Sequence, residues 1–138
     1  MIEAFKGEYR FLSNFCPCKI KLGNYIWPSA EHAYQAAKSL DEKEWDHIHS
    51  LPTAAAAKAK GAVLTLRPDW DGVKLSVMEQ IVRAKFTQNV PLARALQDTF
   101  PHGLVEGNHW GDHYWGVCKG YGQNNLGKIL MKVRAELL

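Results

Sequence analysis

The run Tyr25-Ile26-Trp27-Pro28-Ser29-Ala30-Glu31-His32-Ala33-Tyr34-Gln35-Ala36-Ala37-Lys38 changes its period part-way. Up to Trp27 it alternates. Lys19-Ile20-Lys21-Leu22, on the other side of Gly23-Asn24, alternates as well, so the two stretches read as a hairpin closed by a two-residue loop. From Pro28-Ser29 onward the signals are helical: Ser29 is a good N-cap, and Glu31 falls in the first turn, where a carboxylate favours the helix dipole. A helix over 30–40 is the expectation. A hairpin running straight into a helix predicts an α+β fold.

Further along, helical signals dominate. Pro52-Thr53 opens a helix through an alanine run, and Gly61 is placed to end it in the left-handed conformation. Over 73–88, Leu75, Met78, Val82 and Phe86 recur at helical spacing, and 91–100 reads as a shorter helix. The last helix carries Leu126, Ile129, Leu130, Val133 and Leu137 on one stripe, with Lys128, Lys132 and Arg134 expected to point elsewhere. No repeat, low-complexity tract or linker interrupts the chain. The expectation is one domain over 1–138, mainly helical with a small antiparallel β element.

A chain of 138 residues is of ordinary domain size and buries roughly 68% of its unfolded surface, enough for a core without staples. Its 46% apolar and 22% charged residues exclude a disordered or membrane composition. The first residues lack the basic-then-apolar layout of a signal peptide, so a cytoplasmic location is expected. Cys16, Cys18 and Cys118 fit neither a redox motif nor a zinc ribbon and read as reduced structural thiols. The net charge of +3 favours anionic ligands mildly and falls far short of a protein that coats nucleic acid.

Two stretches carry candidate chemistry. Glu31, Tyr34, Gln35 and Lys38 form a polar stripe on one helix face, with Glu31 and Lys38 about 10 Å apart along the axis, a span that flanks a sugar. A plain solvated face explains the stripe as well. The second stretch, 106–124, is a long loop dense in glycine and aromatics, of the kind that usually serves a function. Trp110, Tyr114 and Trp115 beside Asp112 either stack a nucleobase or anchor a core turn. The glycine-rich approach to the last helix either receives a phosphate or is capped by Asn124. His109 and His113 have the zinc-ligand offset, but Gly111 separates them and the accompanying glutamate is missing, so no metal and no cofactor are expected. No Gly-x-Ser-x-Gly elbow is present.

Phe11-Leu12-Ser13-Asn14-Phe15, the block from Trp27 to Lys38, Asp112-His113-Tyr114-Trp115-Gly116 and Asn124-Asn125-Leu126-Gly127 together resemble the NADAR (YbiA-like) family. Ala84-Lys85-Phe86, Leu104-Val105-Glu106 and Leu130-Met131-Lys132-Val133-Arg134 extend the likeness over nearly the whole chain. The resemblance implies an N-glycosidase acting on a ribose C1–N bond. It implies Glu31, Lys38 and Asp112 as catalytic residues, and Asn14, Trp70, Trp115, Asn124 and Gly127 as substrate contacts; Tyr34 from the helix stripe and Trp110 from the aromatic loop join the expected contacts on the reading of the residues themselves. Glu31 would stabilise an oxocarbenium-like state. Lys38 would hold a phosphate, protonate the departing base or attack C1. The favoured substrate is ADP-ribosylated guanine in nucleic acid, because the aromatic loop, which departs from the riboflavin-linked members, offers ample stacking surface. The alternatives are a phosphoribosylamino pyrimidine intermediate of riboflavin synthesis, a module that binds ADP-ribose without cleaving it, and an accessory that stacks nucleic-acid bases. No membrane and no obligate protein partner are expected.

Overall fold

In the computed structural model, which describes Met1–Leu138, Ser29 closes one element and opens the next. The strands β1 (Pro17–Leu22) and β2 (Tyr25–Ser29) pair antiparallel across Gly23-Asn24. Gly23 has a φ of 61°, a conformation that costs glycine nothing. Ile20 faces Trp27 across the ladder and both are buried, whereas Lys21 and its partner Ile26 are exposed. The outer edge of β1 does not stay open at Lys21. Gln88 Oε1 accepts its N–H at 2.7 Å and Gln88 Nε2 donates to its C=O at 2.9 Å, so one side-chain amide stands in for a neighbouring strand.

The helix α1 (Ala30–Ala37) begins where expected. Ser29 Oγ accepts the His32 N–H at 3.1 Å, and the carbonyl of Asn14 takes the Glu31 N–H at 3.0 Å, which satisfies two of the amides a helix start leaves over. It ends three residues earlier than the expected 40: Lys38 and Ser39 turn back to the carbonyls of Gln35 and Ala36 in a tightened last turn. Every residue from Ala30 to Ala36 is buried. The helix has no solvent face, because α2 (Glu42–Ser50), α3 (Ala54–Gly61), α4 (Trp70–Gln88) and the hairpin all pack on it.

Three expectations need correction. α2 lies where no helix was expected; its first turn is capped by Asp41, and its anchors are Trp45, whose Nε1 donates to Ser39 O at 2.8 Å, and fully buried Ile48. Gly61 does not end α3 in the left-handed region. It is the last helical residue, and a β-carbon there would lie 1.8 Å from Gln35 Oε1. Along α4, Met78, Val82 and Phe86 are buried as expected together with Ile81, but Leu75 faces out.

Residues Asn14–Gln88 form one compact unit; Met1–Ser13 and Asn89–Leu138 form a second. In the second, a 3₁₀ helix (Gly7–Leu12) is followed much later by α5 (Val90–Asp98), by the two-residue strands β3 (Gly107–Asn108) and β4 (Val117–Cys118), paired parallel, and by α6 (Asn125–Leu137). Ile2 bridges to Leu104, its N–H on Gly103 O and its C=O accepting from Val105. Leu126, Ile129, Leu130 and Val133 bury the expected stripe of α6, and α5 packs on it. Arg134 does not point outward. It is buried, because its guanidinium finds Thr99 Oγ1 at 3.0 Å and His102 O at 2.7 Å beyond the end of α5, acceptors that a helical-wheel argument does not see.

Lys85 of α4 is 1% exposed. Burial pushes its ammonium down to about 8, with charge on Cys18 and Cys16 acting weakly the other way. Between that value and the ordinary lysine value the unfolded chain binds a proton that the folded chain does not, so this group makes stability rise with pH across that window. The Cys18 thiol, pushed up by burial, contributes with the opposite sign. The stability of Lys85→Met relative to the wild type should therefore fall by up to roughly 3 kcal/mol between pH 7 and about pH 10. Urea midpoints of the two proteins at both pH values check this.

Candidate functional site

The polar stripe of α1 is not a solvated face. Glu31, Tyr34 and Gln35 are 7%, 8% and 3% exposed, and a buried carboxylate is costly unless something donates to it. Gln35, one turn on, supplies a donor: its Nε2 reaches Glu31 Oε2 at 2.5 Å. Lys38 caps the C-terminal end of the helix and is half-buried. Its Nζ stands 5.5 Å from the centre of the Tyr34 ring, and Trp70, at the start of α4, packs on that ring at 5.3 Å with a 56° tilt. Burial lowers the Lys38 pKa; Glu31 opposes the shift, and Lys58 of α3 and Lys74 of α4 add to it. One helix thus presents a carboxylate held by an amide and an amine that gives up its proton more readily than an ordinary lysine, the Tyr34 ring lying beside the amine and Trp70 packing on that ring.

Asn14 is placed beside the same helix. Its carbonyl caps Glu31, and its side-chain amide approaches Met78 Sδ at 3.4 Å. Trp70 is 6% exposed, so its indole is a packed wall on Tyr34 rather than an open stacking surface.

In the second unit the aromatic loop is held by its own polar side chains. Asn108 Oδ1 accepts the Asp112 N–H at 3.0 Å while its Nδ2 donates to Asp112 O at 2.9 Å. Asp112 Oδ1 accepts the N–H groups of Tyr114 and Trp115 at 3.0 and 2.8 Å, an Asx turn. Trp115 meets Tyr114 edge-on at 4.8 Å, and Trp110 is 55% exposed with His109 against its ring. His113 stacks on Tyr121 and binds its carbonyl through Nδ1.

The start of α6 is built differently from the phosphate site the sequence allowed. Asn124 lies in the left-handed region (φ 54°, ψ 40°), which asparagine tolerates, and its side chain does not cap the helix. Its Oδ1 accepts the Glu106 N–H at 3.0 Å and its Nδ2 donates to Leu104 O at 3.0 Å. The N–H groups of Asn125 and Leu126 already donate to Tyr114 O and Trp115 O. A β-carbon on Gly127 would lie 2.2 Å from Leu104 O. Both expected substrate contacts in this stretch, Asn124 and Gly127, are thus used for packing α6 against the Leu104 strand segment.

The arrangement can be set beside known proteins. The NADAR domain model matches residues 3–138. The chain belongs to the NADAR domain family. Among its relatives, the N-glycosidase YbiA of Escherichia coli is 41% identical over 133 residues, which cover 94% of this chain and 82% of that protein. A riboflavin biosynthesis protein of Vibrio vulnificus is 42% identical over 133 residues, of which this chain spans 36% of the full length. The solved NMR structure of Escherichia coli YbiA superposes with a TM-score of 0.86 at 37% identity, covering 99% of this chain and 86% of that one. The chain shares with the N-glycosidases among these relatives an N-glycosyl hydrolase activity.

Gln35 was part of the polar stripe in the sequence but stood out from it only once its burial and its bond to Glu31 were visible. Lys58 and Lys74 come from other elements, and no spacing rule links them to Lys38. Asn124→Ala should cost about 1–3 kcal/mol, because it strips partners from two backbone groups. A denaturation midpoint measures this, and a loss of that size with the Michaelis constant unchanged marks a packing residue.

Proposed function

We propose that this NADAR protein hydrolyses the bond between ribose C1 and a base nitrogen, with Glu31 and Lys38 as catalytic residues. The observation that carries the reading is the pairing on α1 of a buried, hydrogen-bonded carboxylate with an amine whose proton is loosened by burial. As the C1–N bond breaks, positive charge grows on the ribose ring, and Glu31 stabilises it. The neutral Lys38 amine bonds to C1 while the bonding pair leaves with the base, which takes up a proton. The ribosyl-lysine opens to an imine, and water then releases the sugar and restores the amine. Asp112, with one carboxylate oxygen on two amides of its own loop, is assigned to building that loop.

The lowered Lys38 pKa sets the pH dependence. If the neutral amine attacks, kcat/KM rises with pH through the Lys38 titration and then levels; a lysine that donated a proton would give the opposite slope. Borohydride added during turnover should leave a sugar adduct on Lys38, found by peptide mass spectrometry. Without an adduct, and with activity retained in Lys38→Arg, the amine is a cationic contact and not a nucleophile. Glu31→Gln should lower kcat about 100-fold or more while weakening binding far less. Retained kcat with lost affinity would make Glu31 a binding group.

The substrate we favour is ADP-ribosylated guanine, and the exposed indole of Trp110 supports it, since each stacked base is worth roughly 1–3 kcal/mol. A phosphoribosylamino pyrimidine is the second reading, favoured by the name of the Vibrio vulnificus relative. Measuring kcat/KM on both substrates separates them. The first reading expects the ADP-ribosyl compound to be preferred and Trp110→Ala to erode that preference. Efficient turnover of the pyrimidine alone reverses the order.

A further inference from the structure

Gln35 carries a cost that the fold does not require. Its side chain is 3% exposed, its Nε2 donates to Glu31, and its Oε1 is buried with no hydrogen-bond partner. An unmet acceptor is unfavourable, and an apolar side chain of the same shape would avoid the loss. Turning the amide over is no remedy, because it would set Oε1 against the carboxylate oxygen. The neighbouring helix also makes room for this side chain: a β-carbon on Gly61 would fall 1.8 Å from Oε1 and 2.5 Å from Cδ. A Gln–Glu pair one turn apart contributes little on an open helix face, too little to offset a buried acceptor left unmet.

We propose that Gln35 is a positioning residue for Glu31: its amide N–H holds the carboxylate ionised and aims it, and α3 is shaped around the amide to keep it so. The inference rests on the catalytic reading of Glu31. Glu31 acts electrostatically on Lys38, as do Lys58 of α3 and Lys74 of α4, and none of these charged groups is altered in Gln35→Met.

Gln35→Met keeps the bulk and removes the donor. With whichever of the two substrates the wild type cleaves, its kcat should fall at least about 10-fold with KM changed less than about 2-fold, and the acid limb of the kcat–pH profile should move up by about one unit, since the buried carboxylate has lost one donor. Its thermal midpoint should equal or exceed that of the wild type. Gln35→Glu provides a donor only while protonated, so it should be partly active at low pH and show a new descending limb as the pair of carboxyls loses its shared proton. In a Glu31→Gln background, Gln35→Met should cost nothing further. If Glu31→Gln lowers kcat while Gln35→Met keeps both kcat and the acid limb, the positioning role is wrong and the catalytic reading stands. If Glu31→Gln itself keeps kcat, both fall. Should Gln35→Met fail to fold, the Gln35→Glu profile decides: no new limb overturns the inference.

Discussion

A carboxylate buried in a helix that has no solvent side is the constraint around which residues Asn14–Gln88 are built. Ionised, Glu31 would be intolerable there alone, and the fold answers with the donating amide of Gln35 one turn away, while the Asn14 carbonyl takes up the backbone N–H of the same residue. The remaining positions of α1 are mostly alanine, which lets three helices and a hairpin approach closely enough to bury it on all sides. Lys38 sits where that enclosure ends, half in and half out, and so loses part of its hydration without losing its reach. The difference between the two groups comes from their position along one short helix.

The parts of the fold that could be read in the sequence are those specified by near neighbours. The Gly23-Asn24 turn and the Ser29 cap are local, and both stand as expected. α2 escaped notice because Trp45 and Ile48 are its only large anchors, too few to make a period. Gly61 and Arg134 were misread for a shared reason: each is explained by a partner distant in sequence, the Gln35 amide for one and the Thr99–His102 turn for the other. Burial of the α1 stripe was hidden for the same cause, since a polar face looks alike whether water or another helix covers it.

For the candidate site, spacing placed Glu31 and Lys38 on one helix face, and the family resemblance named them together with residues whose side chains the structure ties to backbone groups. Blocks shared across a family mix groups that react with groups that fold. Asn124 with Gly127 belongs to the second kind in this structure, joining α6 to the Leu104 segment. Gln35 shows the reverse case, a side chain that passes for an ordinary helical glutamine until its neighbours are known.

The division of the chain into Asn14–Gln88 and a unit made from both flanks has a consequence for biosynthesis. The ribosome delivers the first unit as one uninterrupted stretch, whose contacts close over short loops and form early. The opening thirteen residues must wait. Ile2 has no register to join until Gly103, Leu104 and Val105 have left the exit tunnel. A stall or truncation in the last third would therefore release a chain in which the helix bearing Glu31 and Lys38 is already assembled, while the leading segment remains unpaired and open to chaperones and proteases.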